Sequence, residues 1–338
     1  IATVTVKNTA YKSIIVYDDS NMNGSRDAGE EYAVPPLTSC SALDLKGKVI
    51  GERGFDSVID VIYFGDMAGN LWKMKVGSEA TSWKPRIFFK TKGSSQPISV
   101  SISIAFNRVY QPCLFFGSGR YLTKQDAVST ETQSFYCVID KDPWNFPASL
   151  NRDGLNERGW IITTSPSCSG TGRERTFDPY GTRTTDNNPL FNDRSGWFLD
   201  FNWAGCDGQT ERVTESALVY GRIVFFNSII PNTAPCEAGG YGYFNAMNYL
   251  TAKITKEVIE GAGLVTSIFL GKGAPSRPII DVQNNVVLTQ MSTGEIIKTR
   301  VVMEIKPVQI VNWGEEGIIT CNVCKKNIVH DNFRQLKY

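Results

Sequence analysis

Apolar and polar residues alternate with a period of two in runs that recur along the chain: Thr3-Val4-Thr5-Val6, Ser13 to Tyr17, Val61 to Phe64, Ile98 to Ile102, Arg222 to Phe226 and Asn285 to Leu288. β-branched and aromatic residues fill these runs, and that composition at that period predicts strands. No eleven-residue window carries helical spacing with caps; the nearest, Thr251 to Ile259, alternates just as readily. The expected class is all-β. Two polar stretches, residues 140 to 195 and 231 to 242, read as extended surface loops, which in β scaffolds are where binding function usually lies. Phe64-Gly-Asp-Met-Ala-Gly-Asn-Leu-Trp72 sets a glycine turn between two strands, and Thr289 to Ile296 does something similar. Such repeating units suit propeller blades, with a β-sandwich as the alternative.

Composition narrows the setting. The 338 residues carry 35 basic and 34 acidic side chains without a block of like charge, so nucleic acid and anionic membrane are poor partners for this surface. No stretch reaches the roughly 18 apolar residues of a membrane span. Eight cysteines at positions 40, 113, 137, 168, 206, 236, 321 and 324 are scattered through loop-rich sequence, which points to disulfides in an oxidising compartment. Their pairing is not given by spacing, apart from the proximity of Cys321 and Cys324. The chain opens on Ile1 without a signal-peptide pattern, as a mature product or an internal fragment would.

The sharpest local chemistry is the run Asp19 to Glu30. It places Asp19, Asn21, Asn23, Ser25, Asp27 and Glu30 at positions 1, 3, 5, 7, 9 and 12 of an EF-hand loop, with Gly24 at position 6. Alternating oxygens wrap a hard cation, the glycine permits the sharp turn, and the final Glu can bind through both oxygens, so the spacing predicts a Ca2+ site. Strand-like flanks replace the EF helices, and two neutral Asn ligands place the affinity toward the weak end, about 10⁻⁴ to 10⁻³ M. The competing reading is an Asx-rich turn without metal.

Catalytic patterns are thin. His330 is the only histidine, it stands in a polar tail, and no Gly-x-Ser-x-Gly elbow exists. Cys321-Asn-Val-Cys324 is followed by Lys325, which excludes haem attachment; a small structural disulfide is preferred over a metal-bound or free pair. Trp72, Trp160, Trp197 and Trp203 read as packing rather than as a ligand platform.

From about residue 58 onward, ordered segments carry a resemblance. They are Val61 to Lys73, Gln96-Pro97-Ile98, Leu114 to Leu122, Gln133 to Tyr136, Gly196 to Asp200, Glu211-Arg212-Val213, Phe225 to Pro231, Cys236 with Gly239-Gly240, and Asn312 to Glu315. Together they resemble the C-terminal domain of the PilY/PilC family of type IV pilus tip-associated adhesins. The resemblance implies a modified quinoprotein-like β-propeller, complete or partial, over residues 58 to 338; residues 1 to 57, which match the family poorly, read as a separate N-terminal β segment that holds the calcium loop. It further implies calcium binding, pilus assembly with minor pilins, attachment to a surface or host-cell receptor at the pilus tip outside the cell, and no enzyme activity. The family keeps its calcium loop directly before the Val61 strand, where this chain retains Glu52, Asp56 and Asp60 as a second candidate but lacks the loop glycine. No Arg-Gly-Asp tripeptide occurs. A quinoprotein-like calcium-dependent dehydrogenase shares the propeller and is the runner-up, although the adjacent cysteine pair typical of quinone sites is missing. A structural extracellular repeat module is the third reading.

Overall fold

In the computed structural model the described residues are 60–75, 84–109, 111–171, 176–191, 193–232 and 239–302, together with the backbone of three strands nearer the N-terminus. Those strands are β1 (Ala2–Thr5), β2 (Ile15–Asp18) and β3 (Cys40–Leu43). β1 and β2 pair with each other. β3 opens a four-stranded meander with β4 (Val61–Gly65), β5 (Asn70–Lys75) and β6 (Pro85–Lys90).

A five-stranded sheet follows. It contains β7 (Ser103–Phe106), β8 (Pro112–Gly117), β9 (Ser134–Ile139), β10 (Asn156–Arg158) and, from later in the chain, β15 (Gly196–Asp200), in the order β10-β15-β9-β8-β7. The six-stranded sheet has the order β11-β14-β19-β18-β17-β16. Its members are β11 (Trp160–Thr164), β14 (Thr182–Thr185), β16 (Leu218–Tyr220), β17 (Ile223–Pro231), β18 (Gly240–Asn248) and β19 (Ser267–Lys272). β12 (Ser167–Ser169) and β13 (Thr176–Asp178) form a hairpin, and β20 (Ile279–Asp281), β21 (Val286–Gln290) and β22 (Ile296–Arg300) a three-stranded meander. Every named pair is antiparallel except β10 with β15. The one α-helix among the described residues is the single turn α1 (Lys124–Ala127).

Alternation explains how the sheets stack. Along β8 and β9, Leu114, Phe116, Tyr136 and Val138 join Val61, Tyr63, Leu71 and Phe89 of the four-stranded sheet in one apolar core. The intervening residues face the other way, where Phe135 stacks on Phe226 of β17 at 3.8 Å and Phe115 meets Tyr249. The five-stranded sheet is thus buried on both faces, which is why its central strands read Cys-Leu-Phe-Phe and Phe-Tyr-Cys-Val without a polar residue. Beyond the six-stranded sheet, Asn227 of β17 donates to Thr289 of β21 at 3.0 Å.

The all-β expectation holds, and no closed ring of sheets is present among the described residues. Two local expectations are corrected. Ile98 to Ile102 is not a ladder strand: Ile98 N donates to Asp66 O and Gly119 N to Pro97 O, so this segment bridges two sheets. Residues 140 to 195 are not one extended loop, because β10 to β14 lie within them. The expected boundary at residue 57 falls outside the described residues.

Candidate functional site

Asp19, Asn21, Asn23, Ser25, Asp27 and Glu30 lie outside the described residues, as do Glu52, Asp56, Cys321, Cys324 and His330. Asp60 is described and is buried immediately before β4. Among the described residues no three His, Cys, Asp or Glu side chains gather as metal ligands would. Cys168 and Cys206 form a disulfide that ties the β12–β13 hairpin to the 204–208 turn, while Cys113 and Cys137 are free and buried. The four tryptophans do pack: Trp72 stacks on Phe64, Trp197 is fully buried, and Trp160 and Trp203 lie against one arginine.

The turn between β4 and β5 is organised by Asp66. Its Oδ1 accepts from Ala68 N and Asn70 N, and its Oδ2 from Asn70 Nδ2 and from Trp72 Nε1 at 2.7 Å. Gly69 takes φ +76°, and a β-carbon there would stand 2.1 Å from Thr91 Oγ1. Aspartate, glycine and tryptophan are therefore each required by the geometry of one turn.

Four of the segments that carry the resemblance meet next to this turn. Pro97, Arg120, Gln133 and Arg212, with Asp126 and Ser95, line a cavity of about 360 Å³. Asp126 sits at N3 of α1 and completes a capping box with Thr123. Its Oδ1 takes the Arg120 Nε bond at 2.6 Å and its Oδ2 accepts from Leu122 N, Thr123 N and Thr123 Oγ1. Burial opposes its charge, yet these bonds outweigh it and hold the carboxyl below its ordinary range. Arg212 is buried with carbonyls as partners: Thr210 O, Arg120 O, Asp126 O at 2.5 Å and Ser129 O. Burial draws its guanidinium down to about 10, against the favourable charge of Asp126. Gly119 gives it room, since a β-carbon there would lie 2.6 Å from Arg212 Cβ. Arg212 thus pins the Arg120–Ser129 loop from beneath.

Beside the cavity, Arg152 bonds Asp200 at 2.8 Å, Tyr136 Oη and Ser134 Oγ, and lies 3.8 Å over the Phe198 ring. Ser134 Oγ also donates to Asp200, and Tyr136 Oη to Gln96. Burial raises the Tyr136 hydroxyl to about 12, Arg152 pulling the other way. Every acid in this cluster is already held by a cation and every hydroxyl by a fixed acceptor, so the arrangement braces a polar surface; it supplies neither a free base nor an activated nucleophile. Sequence reading missed Arg120, Asp126 and Arg212 as a group. The available signal was the Thr123-x-x-Asp126 box; the return of Arg212 from 86 residues away is a matter of topology.

No family model matches the chain. It is 26% identical over 252 residues to a type IV pilus biogenesis factor PilY1 homolog of Xylella fastidiosa, covering 70% of this chain and 16% of that protein. It is 24% identical over 221 residues to the type IV pilus biogenesis factor PilY1 of Pseudomonas aeruginosa, covering 56% and 19%. The chain therefore spans less than a fifth of the length of these curated relatives. In fold it matches the crystal structure of the Pseudomonas aeruginosa PilY1 C-terminal domain with a TM-score of 0.59 at 18% identity, over 88% of this chain and 72% of that one. In sequence the chain is thus similar to PilY1-type type IV pilus biogenesis factors, and in fold to a PilY1 C-terminal domain.

Proposed function

We propose that the chain is the C-terminal, non-enzymatic binding region of a type IV pilus assembly factor and adhesin that works at the pilus tip, outside the cell. The carrying observation is the agreement of two likenesses, in sequence to PilY1-type factors and in fold to a PilY1 C-terminal domain. The stacked sheets support a modified propeller, and the braced polar surface around Arg120 and Arg152 supports binding over chemistry. Minor pilins are the partners on the pilus side, and a surface or host-cell receptor is the partner on the other. Deleting the encoding gene is expected to abolish surface pili, and gold-labelled antibody against the chain is expected to mark pilus ends. Normal piliation in the deletion strain, or label spread along the shaft, would refute the proposal.

Ca2+ is proposed for Asp19, Asn21, Asn23, Ser25, Asp27 and Glu30, whose all-oxygen donor set suits a hard cation. Glu52, Asp56 and Asp60 are a weaker second set. Bound calcium would order its loop. Millimolar calcium is expected to raise the melting temperature, and Asp19→Ala or Glu30→Ala to remove that rise; an equal rise in the variants would sink the assignment.

A further inference from the structure

Across the six-stranded sheet, Arg183 of β14, Ser267 of β19, Asn245 of β18 and Phe226 of β17 stand opposite one another in register, so their side chains share one face. This face is sealed: Arg183, Ser267, Asn245 and Phe226 are all fully buried, and so is Glu211, which reaches the row from the loop before β16. Arg183 lies between Trp160 and Trp203, its guanidinium 3.8 and 3.7 Å from the two rings, and bonds Glu211 Oε1 at 2.5 Å. Ser228 Oγ donates to the same oxygen, and Asn245 Nδ2 donates to Ser228 Oγ at 2.9 Å.

Along this connected row five polar atoms have no protein partner: Glu211 Oε2, Asn245 Oδ1, Ser267 Oγ, Arg183 Nε and Trp203 Nε1. Leaving a buried donor or acceptor unsatisfied costs about 1–3 kcal/mol each, so a ligand is called for. Its chemistry follows from the orphans. Glu211 Oε2 and Asn245 Oδ1 accept only, which repels an anion; Arg183 Nε and Trp203 Nε1 donate only, and the guanidinium repels a cation. Water both donates and accepts, and a site with several polar partners is the kind that retains it.

We propose that the Glu211–Asn245–Ser267 row is an internal hydration site, holding ordered water that bridges these strands to the loop carrying Trp203 and Glu211. The site does not rest on the pilus reading. The test is high-resolution diffraction from crystals of the whole chain, with parallel soaks in bromide and rubidium. Water density within hydrogen-bonding distance of at least two of the five atoms, without anomalous signal in either soak, is expected. A dry row, or an anomalous bromide or rubidium peak there, would overturn the proposal. As a second measurement, Ser267→Val is expected to lose a long-lived water in oxygen-17 relaxation dispersion; an unchanged dispersion amplitude would also overturn it.

Discussion

Replacing Lys73 by Met removes one charge from the interior and keeps most of the side-chain volume. Lys73 is fully buried on β5, its amine 2.6 Å from Asp140 Oδ2, itself fully buried at the end of β9. Two more bonds run to Asp142 O at 2.9 Å and Asn145 O at 2.7 Å, and the amine lies 5.5 Å and 5.9 Å from the centres of the Phe88 and Phe146 rings. The amine therefore joins the four-stranded sheet to the loop leaving the five-stranded one. Burial lowers its pKa, and Asp140 opposes that. Without the amine, Asp140 keeps the Tyr63 hydroxyl at 2.6 Å and the Asp142 N–H, but its charge is buried without a cation. Breaking a buried pair from one side costs about 3–5 kcal/mol. With an unfolding entropy of about 2.1 cal/mol/K per residue, 338 residues give roughly 0.7 kcal/mol/K, so the melting temperature should fall by roughly 4–7 °C. The assay is calorimetry of Lys73→Met beside the double variant with Asp140→Asn, in which no charge remains and the Tyr63 bond is kept. The double variant is expected to recover more than half of the loss. A single variant costing less than about 1 kcal/mol, or a double variant no more stable than the single, would refute the reasoning.

Gly117→Ala on β8 would put a β-carbon 2.2 Å from Val213 Cβ. The overpacking is expected to cost about 1–3 kcal/mol in urea unfolding, and Val213→Gly, which removes the opposing β-carbon, should relieve part of it; a second substitution whose loss simply adds to the first would contradict the contact. Acid stability is expected to follow Asp126 and Asp200, the latter opposed by burial but held down by Arg152, Ser134 and Lys92. Both native pKa values lie below the unfolded ones, so the unfolded state binds more protons in acid. Their contribution is complete above the ordinary carboxylate range near about 3.9 and is lost as pH falls through the native values. Asp200→Asn should flatten the urea midpoint against pH across that range, and an unchanged slope would count against the Arg152 cluster.

The parts of the fold legible in the sequence were those governed by neighbouring residues. Val61 to Trp72 reads as strand, turn and strand because alternation, Asp66 and Gly69 all act within one turn. The same holds for Val286 to Ile296, where β21 and β22 pair across Gly294 at φ +92°. Residues 140 to 195 were illegible for the opposite reason. β10 to β14 are three to five residues long and rich in Asn, Arg, Ser and Thr; β12 and β13 pair locally as a hairpin, but β10 and β14 are held as strands by distant partners, Asn156 beside Trp197 and Arg183 beside Ser267. A residue such as Arg158 or Arg183 looks like surface in a linear reading, and both are fully buried among the largest side chains of the interior.

The same division separates the two kinds of candidate site. A calcium loop is a local object, twelve residues whose spacing states the coordination, and so Asp19 to Glu30 can be proposed from sequence with no knowledge of the sheets around it. The cavity around Arg120 is not local: Ser95, Asp126 and Arg212 reach it from three connections, and spacing along the chain says nothing of it. What four of the resembling segments share is location, since Pro97, Arg120, Gln133 and Arg212 end at one surface although 115 positions separate the first from the last. Part of a resemblance made of scattered short matches is thereby gathered into one place on the molecule. That place, braced by Arg212 from below and left open at Arg120, is where substitutions that spare the fold should first be sought when binding is measured.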